Sequence, residues 1–469
     1  MKSPSAAVAA PQPRPQNANI RRSLEGSIPA VLLSFAAPSF VQILVQNAVA
    51  AIEIFLLSRL GIDSLAAISV VAPLVTLFVA VTTIGMGGAV SSAVAQALGA
   101  GKPSEAEALA MHAILLSLIF GAVSAGILIG FGSVIFGALG ATDEALEQAL
   151  TYSNIVFGGS VALWLLGSLT AVIRGTGDMK TPVRITIVRA AAALPLFAIL
   201  IFGWGPLPGL SIAGAAIAML SYYALGVVGM LIHLQSAKSP IHLTLSGFRP
   251  RWDLLSRILK VASPSSMQIV VTNAALIAIT AYVARFGVEA LAGYGLASRV
   301  ELLISSLVLA FGVGTTTMVA TCLGAGLLER ARRVTFVSCA LAASVFTAIG
   351  LGVAISGRLI AGLFTDSEKA VSAASGYFQV AGVAYGFMAI SVVLLSAYQG
   401  WGRTTTPLLV SLLRAAIVLI VGWLLLQQPV AKLDLLYYLV AGSTVISALT
   451  LAACFIFRPL NRRSGALSG

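Results

Sequence analysis

Charge is scarce in this chain. Asp, Glu, Lys and Arg make up 9% of its 469 residues, against 58% hydrophobic. A soluble domain carries about 25% charged residues, so this supply cannot furnish a water-facing surface. Cysteine and histidine are equally thin, at three each. Cys322, Cys339 and Cys454 sit singly in apolar runs, which leaves neither a metal-ligand spacing nor a disulfide framework. His112, His233 and His242 are scattered, with no acidic cluster beside them. No catalytic constellation is legible, so an enzyme is not expected. The 28 basic residues outnumber the 16 acids. In a soluble protein that excess would suggest nucleic acid; in a lipid-embedded one it is a topology signal that position can test.

What the chain does have is long apolar runs. There are twelve, over 28–57, 65–98, 108–136, 147–173, 181–203, 211–236, 256–284, 291–324, 333–363, 370–399, 406–426 and 434–457. Each exceeds the ~20 residues needed to cross the hydrocarbon core. The alternation of a membrane β-strand is absent, so the expected fold class is all-α: twelve transmembrane helices. They are numbered here as spans 1–12. Residues 1–27, rich in Pro, Ala, Gln and Asn, read as a mobile cytoplasmic tail, not a cleaved signal peptide.

With the N-terminus inside and alternating crossings, the cytoplasmic segments hold twenty Lys and Arg and the outer loops five. That count takes in basic residues at the cytoplasmic ends of spans, such as Arg184, Arg257, Lys260 and Arg333; Arg189, Arg299 and Arg414 lie deeper within the spans. That asymmetry places both termini in the cytoplasm, and no nucleic acid partner is needed.

The chain is duplicated. Pro38, Gln42, Asn47, Arg59, Gly61, Leu65 and Ala66 recur 226 positions later as Pro264, Gln268, Asn273, Arg285, Gly287, Leu291 and Ala292. "LGAG" recurs at 98–101 and 323–326, and Tyr152 with Arg189 recur as Tyr377 with Arg414, all at offset 225. Each half has six spans, so the two are parallel repeats related by an axis along the membrane normal. The expected organisation is a tail (1–27), an N-terminal lobe (28–236), a cytoplasmic linker (237–255), a C-terminal lobe (256–457) and a tail (458–469). Two polar turns also match, "RGTGDMKTP" from Arg174 and "QGWGRTTTP" from Gln399. Their glycines should end spans 4 and 10, and each Thr-Pro pair suits the N-cap and N1 of the next helix. A hinge or gate on each lobe is the functional alternative.

These turns, "RLGIDSLAA" after span 1, "LGAG" after span 2 and "SRVE" in span 8 resemble the multidrug and toxic compound extrusion (MATE) transporters. The resemblance covers nearly all of 28–457 and is nearer the DinF type than the NorM type. It implies two pseudo-symmetric six-helix lobes forming a V around a central cavity. It also implies antiport: an organic, often cationic compound leaves while protons or sodium enter. The partners are then a small-molecule substrate and membrane lipid. A monomer in the inner (cytoplasmic) membrane is expected, with no cofactor and no bound metal. A lipid-linked or polysaccharide flippase of a related superfamily is the alternative.

Only Glu53 and Glu301 lie deep within spans. A buried charge costs at least ~2.5 kcal/mol, so both are expected to couple ion movement. Gln42, Gln46 and Glu53 fall within about 40° of one another on span 1 and should face a wet cavity. With Asn47, Gln268, Asn273 and Trp164 these amides form the expected substrate contacts. Tyr282, Tyr294 and Phe387 could add aromatic faces for flat cations. Arg189, Arg299, Arg414, Arg174 and Asp178 are expected as structural or gating charges. Glu53 matches the family position that usually holds Asp. Where DinF-type members carry Asn and Asp on span 5, this chain has Ala193 and Phe197; NorM-type acids are matched by Thr272 and Met388. Both cation cages are incomplete, which favours a proton over sodium.

Overall fold

The computed structural model describes residues 18–237, 239–243, 248–428 and 432–457. Eleven helices among these are long and apolar enough to cross a membrane, and a bent pair brings the total to twelve. The spans run Ile28–Leu57, Ile62–Gly99, Pro103–Ala138, the pair Asp143–Gly158 and Ser160–Gly175, Lys180–Phe202, Ser211–Gln235, Trp252–Ala284, Val288–Gly324, Leu328–Gly362, Glu368–Gly400, Thr405–Leu426 and Leu433–Phe457. This is the expected order, and the chain is a multi-pass membrane protein.

Three local features depart from the sequence reading. Span 4 is bent by 48°. Gly158, Gly159 and Ser160 interrupt it, and a Cβ on Gly159 would strike the Leu220 side chain of span 6. Glycine and serine together are a recognised cause of sharp kinks. Second, residues 18–25 of the expected mobile tail form a helix, Ala18–Glu25. Ile20 and Ser23 are buried, and Arg330 Nε donates to the Ser23 carbonyl at 3.1 Å. The rest of that tail, 1–17, and the C-terminal tail from 458 lie outside the described residues. Third, the Thr-Pro pairs are not N-cap and N1. Span 5 starts at Lys180, and Asp178 supplies the cap, accepting from Lys180 N at 2.9 Å and Thr181 N at 3.0 Å. Span 11 starts at Thr405, so Thr406 and Pro407 also sit inside its first turn. Proline is tolerated there because first-turn N–H groups have no helical partner.

The packing repeats as the sequence does. Span 1 lies on span 5 within its lobe and on span 8 of the other; span 7 lies on span 11 and, across, on span 2. The "LGAG" glycines mark the crossing of spans 2 and 8. A Cβ on Gly99 would meet the Thr321 backbone, and one on Gly324 the Gln96 backbone. Gln96 and Thr321 are themselves 225 positions apart.

Contacts between the lobes concentrate toward the end carrying the basic loops. Ser92 Oγ donates to the Gln399 carbonyl (2.8 Å), Gln96 Nε2 to the Gly400 carbonyl (2.9 Å), and Ser91 meets Thr317 at 3.3 Å. Arg257 bridges Glu105 and Gln96 Oε1. An apolar cluster joins Ile28, Leu32 and Phe35 to Met318, Val319 and Val334. A second core lies within the C-terminal lobe, and a third fills the N-terminal lobe and takes in Leu254, Ile258, Val261 and Ala262 at the start of span 7. Part of the linker is tied to span 3, where Arg251 N donates to His112 Nε2 at 2.8 Å.

Candidate functional site

Glu53 lies within the N-terminal lobe. It is 5% exposed, and Tyr152 Oη of span 4 donates to its Oε1 at 2.5 Å. Gln42, lower on the same stripe, is also buried and accepts from Arg174 Nη2 at 2.9 Å. Gln46 between them is half-buried. The stripe therefore turns into its own lobe, not toward an open cavity. Span 4 supplies the hydroxyl and guanidinium that satisfy it, whereas lipid offers no donors. Ala193 and Phe197 are fully buried and add no ligand oxygen.

The C-terminal lobe holds a parallel arrangement. Tyr377 Oη donates to Glu301 Oε2. Tyr294 and Tyr437 set their rings edge-on against Tyr377, with centroids 5.3 and 5.2 Å away. The two tyrosines are repeat equivalents; the two glutamates are not, one lying on span 1 and the other on span 8. Span 7 has Ile279 where span 1 has Glu53.

Two of the expected charges fasten helices. Arg189, 3% exposed, lies over the Tyr222 ring of span 6 at 4.0 Å. Its repeat partner Arg414 donates to Ser443 (3.4 Å) and Thr444 (2.9 Å) of span 12. Each arginine so ties the fifth helix of a lobe to the sixth. Gly226 leaves room for the Arg189 guanidinium, where a Cβ would crowd Nη1. Arg299 is exposed, and among the described residues it has no hydrogen bond or ion pair. Asp178, besides capping span 5, stands 3.8 Å from His233 Nε2.

The expected substrate contacts separate into two sets. Asn47 and Asn273 are exposed and Gln268 is half-buried. Trp164 is buried, stacked on Phe120, with Nε1 donating to Ser124 Oγ at 3.1 Å. That indole is part of the N-terminal lobe's packing and presents no open face. Tyr294 is likewise 2% exposed. Among the described residues, no three His, Cys, Asp or Glu side chains come together as metal ligands.

Comparison with known proteins also finds the duplication. The MatE family model matches residues 38–199 and again 264–424. The chain belongs to the MatE family. A "FAD transporter" from Shewanella oneidensis is 28% identical over 400 residues, covering 85% of this chain and 88% of the relative. A "Probable multidrug resistance protein NorM" from Deinococcus radiodurans is 26% identical over 437 residues, covering 91% and 95%. A solved MOP superfamily transporter from Pyrococcus furiosus, described as having a binding pocket of reversed polarity, superposes with a TM-score of 0.85 at 20% identity over 92% and 96% of the chains. The fold is that of this family, in two lobes, and the MatE chain is a transporter and not an enzyme.

Sequence reasoning missed the tyrosines as donors in this MatE protein. The signal was present, since Tyr152 and Tyr377 recur at the repeat offset. Their contacts with Glu53 and Glu301 needed the third dimension, because the partners are 99 and 76 positions away. In the sequence Arg257 is one of the twenty basic residues on the cytoplasmic side, and the structure shows it clasping Glu105 and Gln96 across the lobes.

Proposed function

We propose that this MatE protein is a secondary active exporter that moves an amphipathic organic compound outward in exchange for protons, as a monomer in the inner membrane. The observation that carries the coupling is Glu53, buried in one lobe against Tyr152. A proton needs one titratable group. Sodium needs several oxygens, and the positions that would supply them hold Ala193 and Phe197. Protonation from outside discharges Glu53 and alters its contact with Tyr152; loss of the proton toward the inside restores it. Two lobes that rock about a shared contact give the acid alternating access. Glu301 with Tyr377 is the second candidate for coupling.

With the basic loops in the cytoplasm, lobes joined at that end correspond to an outward-open state. Cysteines at positions 240 and 144 test the orientation. A membrane-impermeant thiol reagent should label Glu144→Cys from outside and Pro240→Cys only after permeabilisation; the reverse pattern overturns it.

A cationic substrate requires an acid open to the path between the lobes. Both acids turn into their own lobes, so the geometry lends that expectation no support. The relative named as a FAD transporter points the other way, since FAD carries a pyrophosphate. Proteoliposomes test the transport reading. Efflux should follow an imposed pH gradient, stop when an ionophore collapses it, and ignore a sodium gradient. Equal flux with and without the pH gradient sinks proton coupling.

A further inference from the structure

We infer that Arg299 is an anion-binding subsite between the lobes, and that it takes a phosphate or carboxylate group of the substrate. The inference rests on the transport reading above and deepens it.

Span 8 is one continuous helix from Val288 to Gly324. One of its faces packs on span 10 of its own lobe: Gly293 sits against Ala370, Glu301 takes Tyr377, and Ser305 donates to Met388. Arg299 points the opposite way, at about 180° from Ala290 and Val308 at 100° per residue. Thr317 lies 18 residues further on, five turns along the same face and roughly 27 Å away at 1.5 Å per residue. Thr317 meets Ser91 of the other lobe. Arg299 therefore projects from the interlobe face, where the lobes have separated.

Exposure along that side records the separation. Leu302 and Leu303 are 67% and 56% exposed, while Ala310 is 1% and Thr317 fully buried. The cleft closes near Ala310, about 16 Å below Arg299.

A guanidinium at this depth needs water or a counter-charge. Among the described residues no acid pairs with it. Glu301 is two residues away and turned about 200° around the helix. Glu53 is enclosed in the other lobe. Arg189 and Arg414 fasten spans within their lobes, so of the three arginines deep within spans it is Arg299 that stays unpaired among the described residues. Span 2, its repeat equivalent, has no basic residue at all. The planar, weakly hydrated fork of arginine pairs with carboxylate or phosphate through two parallel bonds.

The anion could come from a soluble compound or from a lipid headgroup, and two probe sets separate these. FAD and riboflavin share a flavin ring and differ in the charged pyrophosphate; carboxyfluorescein and rhodamine 6G are dyes of opposite charge. Binding to the purified full chain is read by fluorescence anisotropy, and scrambling of fluorescent phosphatidylglycerol is followed in vesicles. Arg299→Gln should weaken FAD and carboxyfluorescein at least tenfold and leave riboflavin and rhodamine 6G within twofold. Arg299→Lys should recover part of the loss. If phosphatidylglycerol scrambling alone depends on Arg299, the anion is a lipid headgroup. Equal anion binding by wild type and Arg299→Gln, with unchanged scrambling, overturns the subsite. So does an equal loss for all four solutes, which would mark a structural role. Anion binding that depends on Arg299 without gradient-driven transport counts against the antiporter reading and leaves the subsite standing.

Discussion

Tyr152 and Tyr377 occupy the same place in the two repeats, and each donates its hydroxyl proton to a span-embedded glutamate drawn from a different helix. The donor is duplicated while the acid has been placed independently, on span 1 in one lobe and span 8 in the other. The tyrosine thus belongs to the scaffold of either lobe, and the acid decides what that scaffold does. Both lobes retain a carboxylate–phenol pair, although neither acid has a counterpart at its own repeat position.

The first prediction separates the two pairs. Glu53→Gln keeps size and polarity, so the protein should fold and reach the membrane while pH-driven efflux is lost and the pH dependence of substrate binding flattens. Glu53→Asp should retain partial activity. Tyr152→Phe removes one hydrogen bond to the carboxylate, an interaction of about 1.5–3 kcal/mol when the acid is charged, and should slow coupled transport at least tenfold. A Glu53→Gln variant pumping uphill at the normal rate on a proton gradient would falsify Glu53 as the coupling acid and shift the role to Glu301.

Gly99 and Gly324 let the backbones of spans 2 and 8 touch at the basic end. Alanine at either forces them apart, and overpacking of this kind costs about 1–3 kcal/mol. The expected result is a population with the basic end open. Spin labels at the exposed Ser104 and Glu329 should report a longer distance in Gly99→Ala and Gly324→Ala, with similar shifts because the contacts are symmetric. An unchanged distance in both variants would mean that the crossing does not limit closure.

Arg257 and Glu105 form the ion pair across the same end, with side chains about a third and a quarter exposed. A partly solvated pair contributes about 1 kcal/mol, roughly fivefold in a two-state population. Glu105→Gln should move the spin-label distances in the direction of the glycine variants, less far, and high salt should reproduce the effect in the wild type. Salt insensitivity would count against the clasp.

Asp178 caps span 5 through two backbone N–H groups and the Thr181 hydroxyl. Asp178→Ala should destabilise the protein by about 1 kcal/mol, seen as a lower melting midpoint in detergent. Asp178→Asn, which can still accept, should lose less. Equal melting of the alanine variant and wild type would remove the cap from the account of this turn.

The sequence by itself determined the class, the number and order of spans, and the duplication. Apolar length is a local property, and a helix crossing lipid has to satisfy its own backbone, so local runs suffice to place it. The repeat offset likewise needed nothing beyond identities such as Pro38 with Pro264 and Arg189 with Arg414. What the tertiary structure decided is where each polar side chain points and what meets it. Angular periodicity put Gln42, Gln46 and Glu53 on one stripe, but periodicity fixes relative angles and leaves open which neighbour the stripe faces. Span 4 settled that, with Tyr152 and Arg174 arriving from 99 and 132 positions away. Arg299 and Glu301 show the same division. Two positions along a helix place them on different faces, and only the packing of span 8 against span 10 and the opposite lobe sends the acid inward and leaves the arginine in the cleft.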